Sequence, residues 1–192
     1  LLPEITEVHV VSVRNECKEV LLFIDSTLLP TDNNPMIYCV NIESSGDTSV
    51  FSFRMSEEKQ QPHSTPCEKI SRYLYEPNSS ILKAGAYKVV AMKYGVDKLQ
   101  INSHLYTSDV YIPDFPGRKF EVIETVDFNA KTIKAIGKQY PCLNLSTRNF
   151  PMSAVELQKR LKCKDGGDLY LFATTLAGDR KILIITKKTT IV

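Results

Sequence analysis

The sequence lacks the short motifs by which many proteins hold nucleotide phosphates. Neither G-x-G-x-x-G nor G-x-x-x-x-G-K-[ST] occurs in its 192 residues, so it encodes no glycine-rich turn that lets a backbone approach a phosphate. A long apolar run is missing as well, since no stretch reaches the roughly 18 residues of a membrane-spanning helix. We therefore expect no nucleotide-phosphate loop and no membrane partner.

Cysteines are few, odd in number and scattered: the chain has five. None belongs to a C-x-x-C pair, so the sequence predicts neither a disulfide framework nor a zinc ribbon. His63 and Cys67 lie four residues apart, but two ligands without a second pair make a poor structural zinc site. We expect reduced thiols, no bound metal and a cytoplasmic location.

The first residues, LLPEITEVHV, lack the charged start and the small-residue cleavage site of a signal peptide. Leu1 is not methionine, so we expect a fragment or a processed chain.

Charge is unevenly distributed along the sequence. Residues 1–117 carry 10 basic and 15 acidic side chains, whereas residues 118–192 carry 14 and 7. A basic half of this kind indicates a polyanionic partner.

Short β-like runs and turns occupy the first part of the chain. Strands are predicted at about 7–13 and 18–24, and PMIYCVNIE with TSVFSFRM predicts a hairpin around SSGD. The polar stretch SEEKQQPHSTP predicts a boundary or an exposed loop. In NSSILKAGAYKVVAMKYG the helical spacing of apolar residues predicts one helix, which Asn78 caps and Gly95 closes.

The pattern becomes regular in the last third of the chain. The predicted elements are strands at 119–128, 142–147, 169–175 and 181–187 and helices at 130–139 and 153–163. Their order, β-α-β-α-β-β, defines a compact α+β unit. We assign the whole chain to the α+β class, built from small mixed-sheet domains.

The helix predicted at 153–163 is unusually basic. Ser153 and Glu156 have the spacing of a capping box, and Leu157 is predicted to face the core. The surrounding cations and a glycine pair form a candidate phosphate-binding set. Its members are Arg148, Lys159, Arg160, Lys162, Lys164, Gly166, Gly167, Arg180 and Lys181. A solvated face stays open as an alternative, because the helix dipole alone favours cations near a C-terminus.

Two stretches resemble a known family. TRNFPMSAVELQKRLKCKDGGDLYLFATTLAGDRKILI is similar to the THUMP-like C-terminal domain of S-adenosylmethionine-dependent methyltransferases of Bacteroidetes-type bacteria. YLYEPNSSILKAGAYKVVAMKYGVDKLQINSHLYTSD, with DFPGRKFEV, resembles the small ferredoxin-like segment that precedes it there. EVHVVSVRNECKEVLL is similar to the closing strands of the methyltransferase domain itself. The resemblance implies a β-rich segment at 1–65, a ferredoxin-like segment at 66–117 and a basic THUMP-like domain at 118–192.

The resemblance also implies that the chain is the C-terminal part of a larger bacterial enzyme. The domain that binds S-adenosylmethionine would precede Leu1, so we expect that cofactor in the parent protein and none in this chain. This chain alone should then not catalyse methyl transfer, and we assign no catalytic residue. THUMP-type domains are associated with RNA-modifying enzymes. The implied partners are therefore RNA, either tRNA or rRNA, and the N-terminal methyltransferase domain of the same polypeptide.

Two functions stay open. One is an RNA-binding appendage of the methyltransferase, and the other is a structural or oligomerisation module of the same enzyme without direct RNA contact. A contiguous positive surface would favour RNA, whereas dispersed cations beside an apolar patch would favour assembly. Glu76, Asn78 and His104 are candidates for the lining of an inter-domain cleft.

Overall fold

The computed structural model describes residues 4–25, 27, 34–62 and 67–189. The chain divides into two compact units. Unit 1 comprises Leu1–His63 and Pro77–Tyr94, and unit 2 comprises Ser64–Glu76 and Gly95–Val192. Each unit combines a mixed sheet with helices, so the predicted α+β class is confirmed.

A four-stranded sheet forms the frame of unit 1. Its strands are β1 (Ile5–Val13), β2 (Glu16–Ile24), β3 (Met36–Ile42) and β4 (Thr48–Arg54). They lie in the order β2-β1-β3-β4, in which β1 and β3 are parallel and the other pairs antiparallel. The predicted hairpin is confirmed, since Glu43 donates its backbone N–H to the carbonyl oxygen of Asp47 at 2.8 Å.

Three short helices complete unit 1: α1 (Met55–Gln60), α2 (Ser79–Ala84) and α3 (Tyr87–Tyr94). The sequence predicted a boundary or an exposed loop in the stretch that starts at Ser56. A loop is wrong for the residues of α1, whereas the division between the two units falls after His63, inside that stretch. The Glu57 carboxylate accepts the backbone N–H of Arg54 at 2.9 Å, which satisfies a donor at the start of α1. Residues 63–66, the end of the same stretch, lie outside the described residues.

Gly85 divides the single helix that the sequence predicted into α2 and α3. Its φ of 79° is left-handed, a conformation that glycine adopts without steric cost. Its N–H donates to the carbonyl oxygens of Ile81 and Leu82, which ends α2. Gly95, with a φ of 60°, closes α3 as predicted. Asn78 does precede α2, but its side chain makes no capping hydrogen bond.

Unit 2 is built on a seven-stranded sheet in the order β6-β7-β5-β8-β11-β10-β9. The strands are β5 (Tyr73–Pro77), β6 (Asp97–Lys98), β7 (Tyr106–Ser108), β8 (Gly117–Asp127), β9 (Asn144–Arg148), β10 (Leu169–Thr175) and β11 (Lys181–Lys188). Helix α4 (Ala130–Gln139) joins β8 to β9, and α5 (Ala154–Leu161) joins β9 to β10. The predicted β-α-β-α-β-β order is confirmed.

Two hydrophobic clusters cover the two faces of this sheet. Ile136 of α4 and Leu157 of α5 pack with Leu171 of β10 on one face. The next residue, Phe172, belongs to the cluster on the other face, because successive side chains of a strand point to opposite sides. Leu157 is 0% exposed, as predicted. With α4 and α5 held on one face by their apolar sides, their polar sides are left to solvent.

Candidate nucleic-acid interface

A glycine brings helices α4 and α5 together. Asn129 starts α4, where its side-chain oxygen accepts the N–H of Thr132 at 2.9 Å. Near the other end, a Cβ placed on Gly137 would lie 2.0 Å from the backbone oxygen of Leu161. Only a residue without a Cβ permits this approach. The end of α4 therefore lies directly against the end of α5.

Helix α5 begins at the predicted capping box. The Glu156 carboxylate accepts the backbone N–H of Ser153 at 2.8 Å, and the Ser153 hydroxyl accepts the N–H of Glu156 at 3.3 Å. The hydrogen bonds from Ser153 lower the pKa of Glu156 and so favour its charged form. Glu156 lies in the first turn of α5, where the positive end of the helix dipole stabilises a negative charge. The helix ends at Lys162, which has a left-handed φ of 57°.

A groove of about 510 Å³ lies between α4 and α5. It is lined by Ala130, Ile133, Gly137 and Leu161 and by four cationic residues, Lys134, Lys138, Arg160 and Lys162. We call this the α4–α5 groove. No acidic residue is among those that line it. Within the described part of the chain, none of its four cations forms an ion pair. The groove thus has an apolar floor and a positive rim, in which Arg160 is near enough to Glu156 to help lower the pKa of that carboxyl.

Six of the nine residues in the candidate phosphate-binding set lie in or after the last turn of α5. Lys159 and Arg160 are in the last turn of α5, and Lys162 follows it. Lys164 donates its N–H to Pro141, just before β9, at 2.8 Å. Gly166 and Gly167 come next, with positive φ values of 110° and 83°. These positions lie in or just after the last turn of α5, and two of them, Arg160 and Lys162, line the groove.

The other three candidates lie at the opposite end of the sheet, and carboxylates hold each of them. Arg148 ends β9, which runs parallel to β10, while Arg180 follows β10 in the turn and Lys181 begins β11. The shortest N–O distance is 2.6 Å in each of the three ion pairs, which are Arg148–Glu76, Arg180–Asp127 and Lys181–Asp179. The structure therefore does not unite the whole candidate set in one positive surface.

Lys134 and Lys138 are groove residues that sequence reasoning missed. They lie four residues apart in a helix predicted from the sequence, which places them on one face. That signal was available, but the presence of α5 beside this face depends on how the two helices pack. Local patterns in the sequence do not report such packing.

Glu76, a candidate for the inter-domain cleft, is a buried carboxylate of unit 2. Its side chain is 3% exposed. It accepts hydrogen bonds from the guanidinium of Arg118 and forms the ion pair with Arg148. The Arg118 guanidinium also lies over the ring of Phe120, 5.5 Å from its centroid. Two guanidinium groups thus compensate one buried negative charge.

His104 lies in the same unit and is kept neutral by its surroundings. Burial, with the positive charges of Lys98 and Arg148, lowers the pKa of His104 to about 4. Arg148 therefore links His104 and Glu76 electrostatically. Asn78, the third candidate for the cleft, belongs to unit 1, where it is 7% exposed.

In the described ranges, no three His, Cys, Asp or Glu residues form a group that could hold a metal ion. His63, one of the two residues weighed as a zinc pair, lies outside those ranges. No helix within them is both long and apolar enough to cross a bilayer.

Two family models match adjacent parts of the chain. Residues 73–116 match a ferredoxin-like domain, and residues 117–188 match a domain described as THUMP domain-like. The resemblance of these parts of the chain to a ferredoxin-like and a THUMP-like domain, drawn from the sequence, is confirmed. The α4–α5 groove lies entirely in the THUMP domain-like part.

A solved structure is similar over nearly the whole chain. It is the crystal structure of a "putative methyltransferase from Porphyromonas gingivalis W83", with 37% sequence identity and a TM-score of 0.92. The match covers 97% of this chain and 46% of that chain, so this chain spans about half the length of the solved relative. No curated protein matches the chain.

Proposed function

We propose that this chain is the RNA-contacting part of an S-adenosylmethionine-dependent RNA methyltransferase, and that the α4–α5 groove binds RNA phosphates. The observation that carries the proposal is the set of four cations around the groove, with no acidic residue lining it. Lysine and arginine bind nucleic acids mainly by neutralising phosphates and releasing counterions. The THUMP domain-like match and the methyltransferase description of the solved relative support the same assignment.

Recognition in this groove would depend on the shape and backbone of the RNA. None of the described residues that line the groove is aromatic, so these residues offer no surface for base stacking. Phe150, an aromatic residue between Arg148 and the start of α5, packs edge-on against Phe128 with ring centroids 4.9 Å apart. Phosphate contacts position a nucleic acid but carry little sequence information. Selection of the target nucleotide is therefore assigned to the methyltransferase domain of the parent protein.

Methyl transfer and the binding of S-adenosylmethionine are likewise assigned to the parent protein outside this chain. A glycine-rich turn between a strand and a helix is the usual means of bringing a backbone close to such a cofactor. In the described residues, glycine is missing from all four strand-to-α-helix connections, which precede α1, α2, α4 and α5. These connections do not fit the cofactor.

The proposal is tested by two matched pairs of substitutions. Lys134→Gln with Lys138→Gln removes two charges from the groove. Lys187→Gln with Lys188→Gln removes two exposed charges from β11, in the same unit but outside the groove. Since charge-assisted contacts contribute about 1.5–3 kcal/mol each, the groove pair should weaken binding of a folded tRNA transcript by roughly a hundredfold or more. Equal losses for both pairs in a fluorescence titration would contradict the proposal.

A second candidate function is a structural or oligomerisation module. The exposed apolar strand β2 favours it. The two functions are compatible, because the groove belongs to unit 2 and β2 to unit 1.

A further inference from the structure

Strand β2 is apolar on both of its faces, and the described residues, among them helix α2, cover it only in part. Val20, Leu21, Leu22, Phe23 and Ile24 follow one another and are each between 43% and 58% exposed. Successive side chains of a strand point to opposite faces, so this run exposes apolar groups on both sides of the sheet. Unbroken apolar runs are typical of strands that are covered on both faces within a larger sheet.

The same strand is also an open edge. It is outermost in the order β2-β1-β3-β4, and in the described residues it pairs with β1 alone. Its outer row of backbone N–H and C=O groups is therefore available to another strand. Proteins usually protect such edges with charges, prolines or short strands. Strand β2 is nine residues long, and its last five residues, VLLFI, include neither a charge nor a proline.

The uncovered apolar surface continues across one face of the sheet. Val11, Val40 and Val50 are neighbours in register on β1, β3 and β4, and Val50 is 58% exposed. On the other face the alternate residues Val10 and Cys39 are 3% and 2% exposed, and α2 packs against β1, β3 and, less extensively, β2. In the described residues, α2 thus covers the face that carries Val10 and Cys39, whereas the face that carries Val11, Val40 and Val50 has no such cover.

The opposite edge of the sheet is an internal contrast. In β4, Phe51 and Phe53 are 6% and 2% exposed, and the residues between and after them, Ser52 and Arg54, are polar. This alternation is typical of a strand that needs no further cover. The unsatisfied surface is therefore a property of β2 and the adjoining face, not of the whole unit.

We propose that a β-strand of the parent methyltransferase domain pairs with β2, so that the four-stranded sheet continues into the sheet of that domain. Helices of the same domain then cover both faces of β2. The size of the solved relative supports this occupant, because more than half of that chain lies outside the match. A second copy of this chain fits less well. Pairing β2 with its copy would satisfy the edge but bring no helix to either face.

The inference depends on the proposed parent enzyme and not on RNA binding. Its test compares the complete polypeptide encoded by the gene with the 192-residue chain, using hydrogen–deuterium exchange. Amides of β2 should exchange at least tenfold more slowly in the complete polypeptide, since paired and buried amides are protected. Amides of β4 should exchange alike in both and serve as the control.

Two substitutions provide a second readout. Leu22→Lys should lower the Tm of the complete polypeptide by several degrees and leave the Tm of the 192-residue chain unchanged. Ile123→Lys, at a similarly exposed position of a strand in unit 2, should change the two proteins equally. Equal β2 exchange in both proteins would overturn the proposal. So would β2 protection that rises with the concentration of the 192-residue chain as it dimerises, which would identify a second copy. Loss of RNA binding alone would alter none of these readouts.

Discussion

Gly137 sets the distance between α4 and α5 and hence the shape of the groove between them. Replacing a helical glycine with alanine usually stabilises a helix by up to about 1 kcal/mol. Here the new Cβ would lie 2.0 Å from a backbone oxygen, so Gly137→Ala should instead lower the free energy of unfolding by about 1–3 kcal/mol. Urea denaturation measures this. Ala135→Gly, at an exposed position of α4, controls for helix propensity, and a stabilised Gly137→Ala protein would contradict the close approach.

Glu76 is a buried charge of unit 2 that two guanidinium groups compensate. Glu76→Gln would leave Arg118 and Arg148 without their carboxylate. Breaking a buried ion pair costs about 3–5 kcal/mol, and we expect the lower end because both guanidinium groups retain some exposure. The exposed pair of Arg72 and Glu121 is the control, since Glu121→Gln should cost less than about 1 kcal/mol. Similar losses for both variants in denaturant unfolding would argue against a buried, compensated charge.

The lowered pKa of His104 predicts a pH dependence of stability. Below about pH 6.5 the unfolded chain protonates this histidine, whereas the folded chain does so only near pH 4. The stability that neutral His104 contributes is therefore complete above pH 6.5 and is lost as the pH falls to 4. His104→Asn, which suits the positive φ of 53°, should lose less stability over this range than the wild type. Parallel pH profiles in thermal denaturation would count against the shift.

The candidate site shows what single residues in a sequence can and cannot predict. The capping box of Ser153 and Glu156 depends on neighbours three residues apart, and it is confirmed. Arg148 and Arg180 looked equally free in the sequence. Their carboxylate partners, Glu76 and Asp127, are more than 50 residues away, and only the pairing of strands brings those groups together.

At the scale of elements, helix α5 should owe its position to one buried face. Leu157 is 0% exposed, whereas Val155 on the same helix is 60% exposed. Leu157→Ala should therefore lower the free energy of unfolding by about 2–5 kcal/mol. Val155→Ala, its matched control, should change it by less than about 0.5 kcal/mol. If both variants unfold at the same denaturant concentration, the buried face of α5 has been assigned incorrectly.

Elements with a strong local period were predictable, and their arrangement was not. The strands and helices after residue 117 lie close to where alternation and helical spacing place them. The break at Gly85 was missed because apolar residues continue at helical spacing on both sides of it. The position of β11 between β8 and β10 is set by pairings between distant segments, and no short window of sequence contains that information.

At the scale of the whole chain, the two compact units do not coincide with the predicted parts at 1–65, 66–117 and 118–192. Helices α2 and α3 belong to unit 1, although they lie inside the ferredoxin-like match. The boundaries drawn from the sequence stay a prediction. The basic half, by contrast, coincides with the THUMP domain-like match, so the excess of positive charge belongs to a defined domain.

The proposal that S-adenosylmethionine binds outside this chain is itself testable. Isothermal titration calorimetry of the 192-residue protein with S-adenosylmethionine should detect no appreciable binding, because its strand-to-helix connections contain no glycine in the described residues. The complete polypeptide encoded by the gene serves as the positive control. Micromolar binding by the 192-residue protein would place the cofactor site in this chain and contradict the assignment.

The salt dependence of RNA binding tests the central claim most directly. The measurement is the slope of log K against log salt concentration for a folded tRNA transcript, taken for the wild type and for a variant carrying Lys134→Gln, Lys138→Gln, Arg160→Gln and Lys162→Gln. Each phosphate contact contributes about 0.7–0.9 to the slope, so the slope of the variant should be shallower by about 3. Thermal stability should be nearly unchanged, since the groove's cations form no ion pair within the described residues. An unaltered slope and affinity would show that RNA phosphates do not bind in the α4–α5 groove.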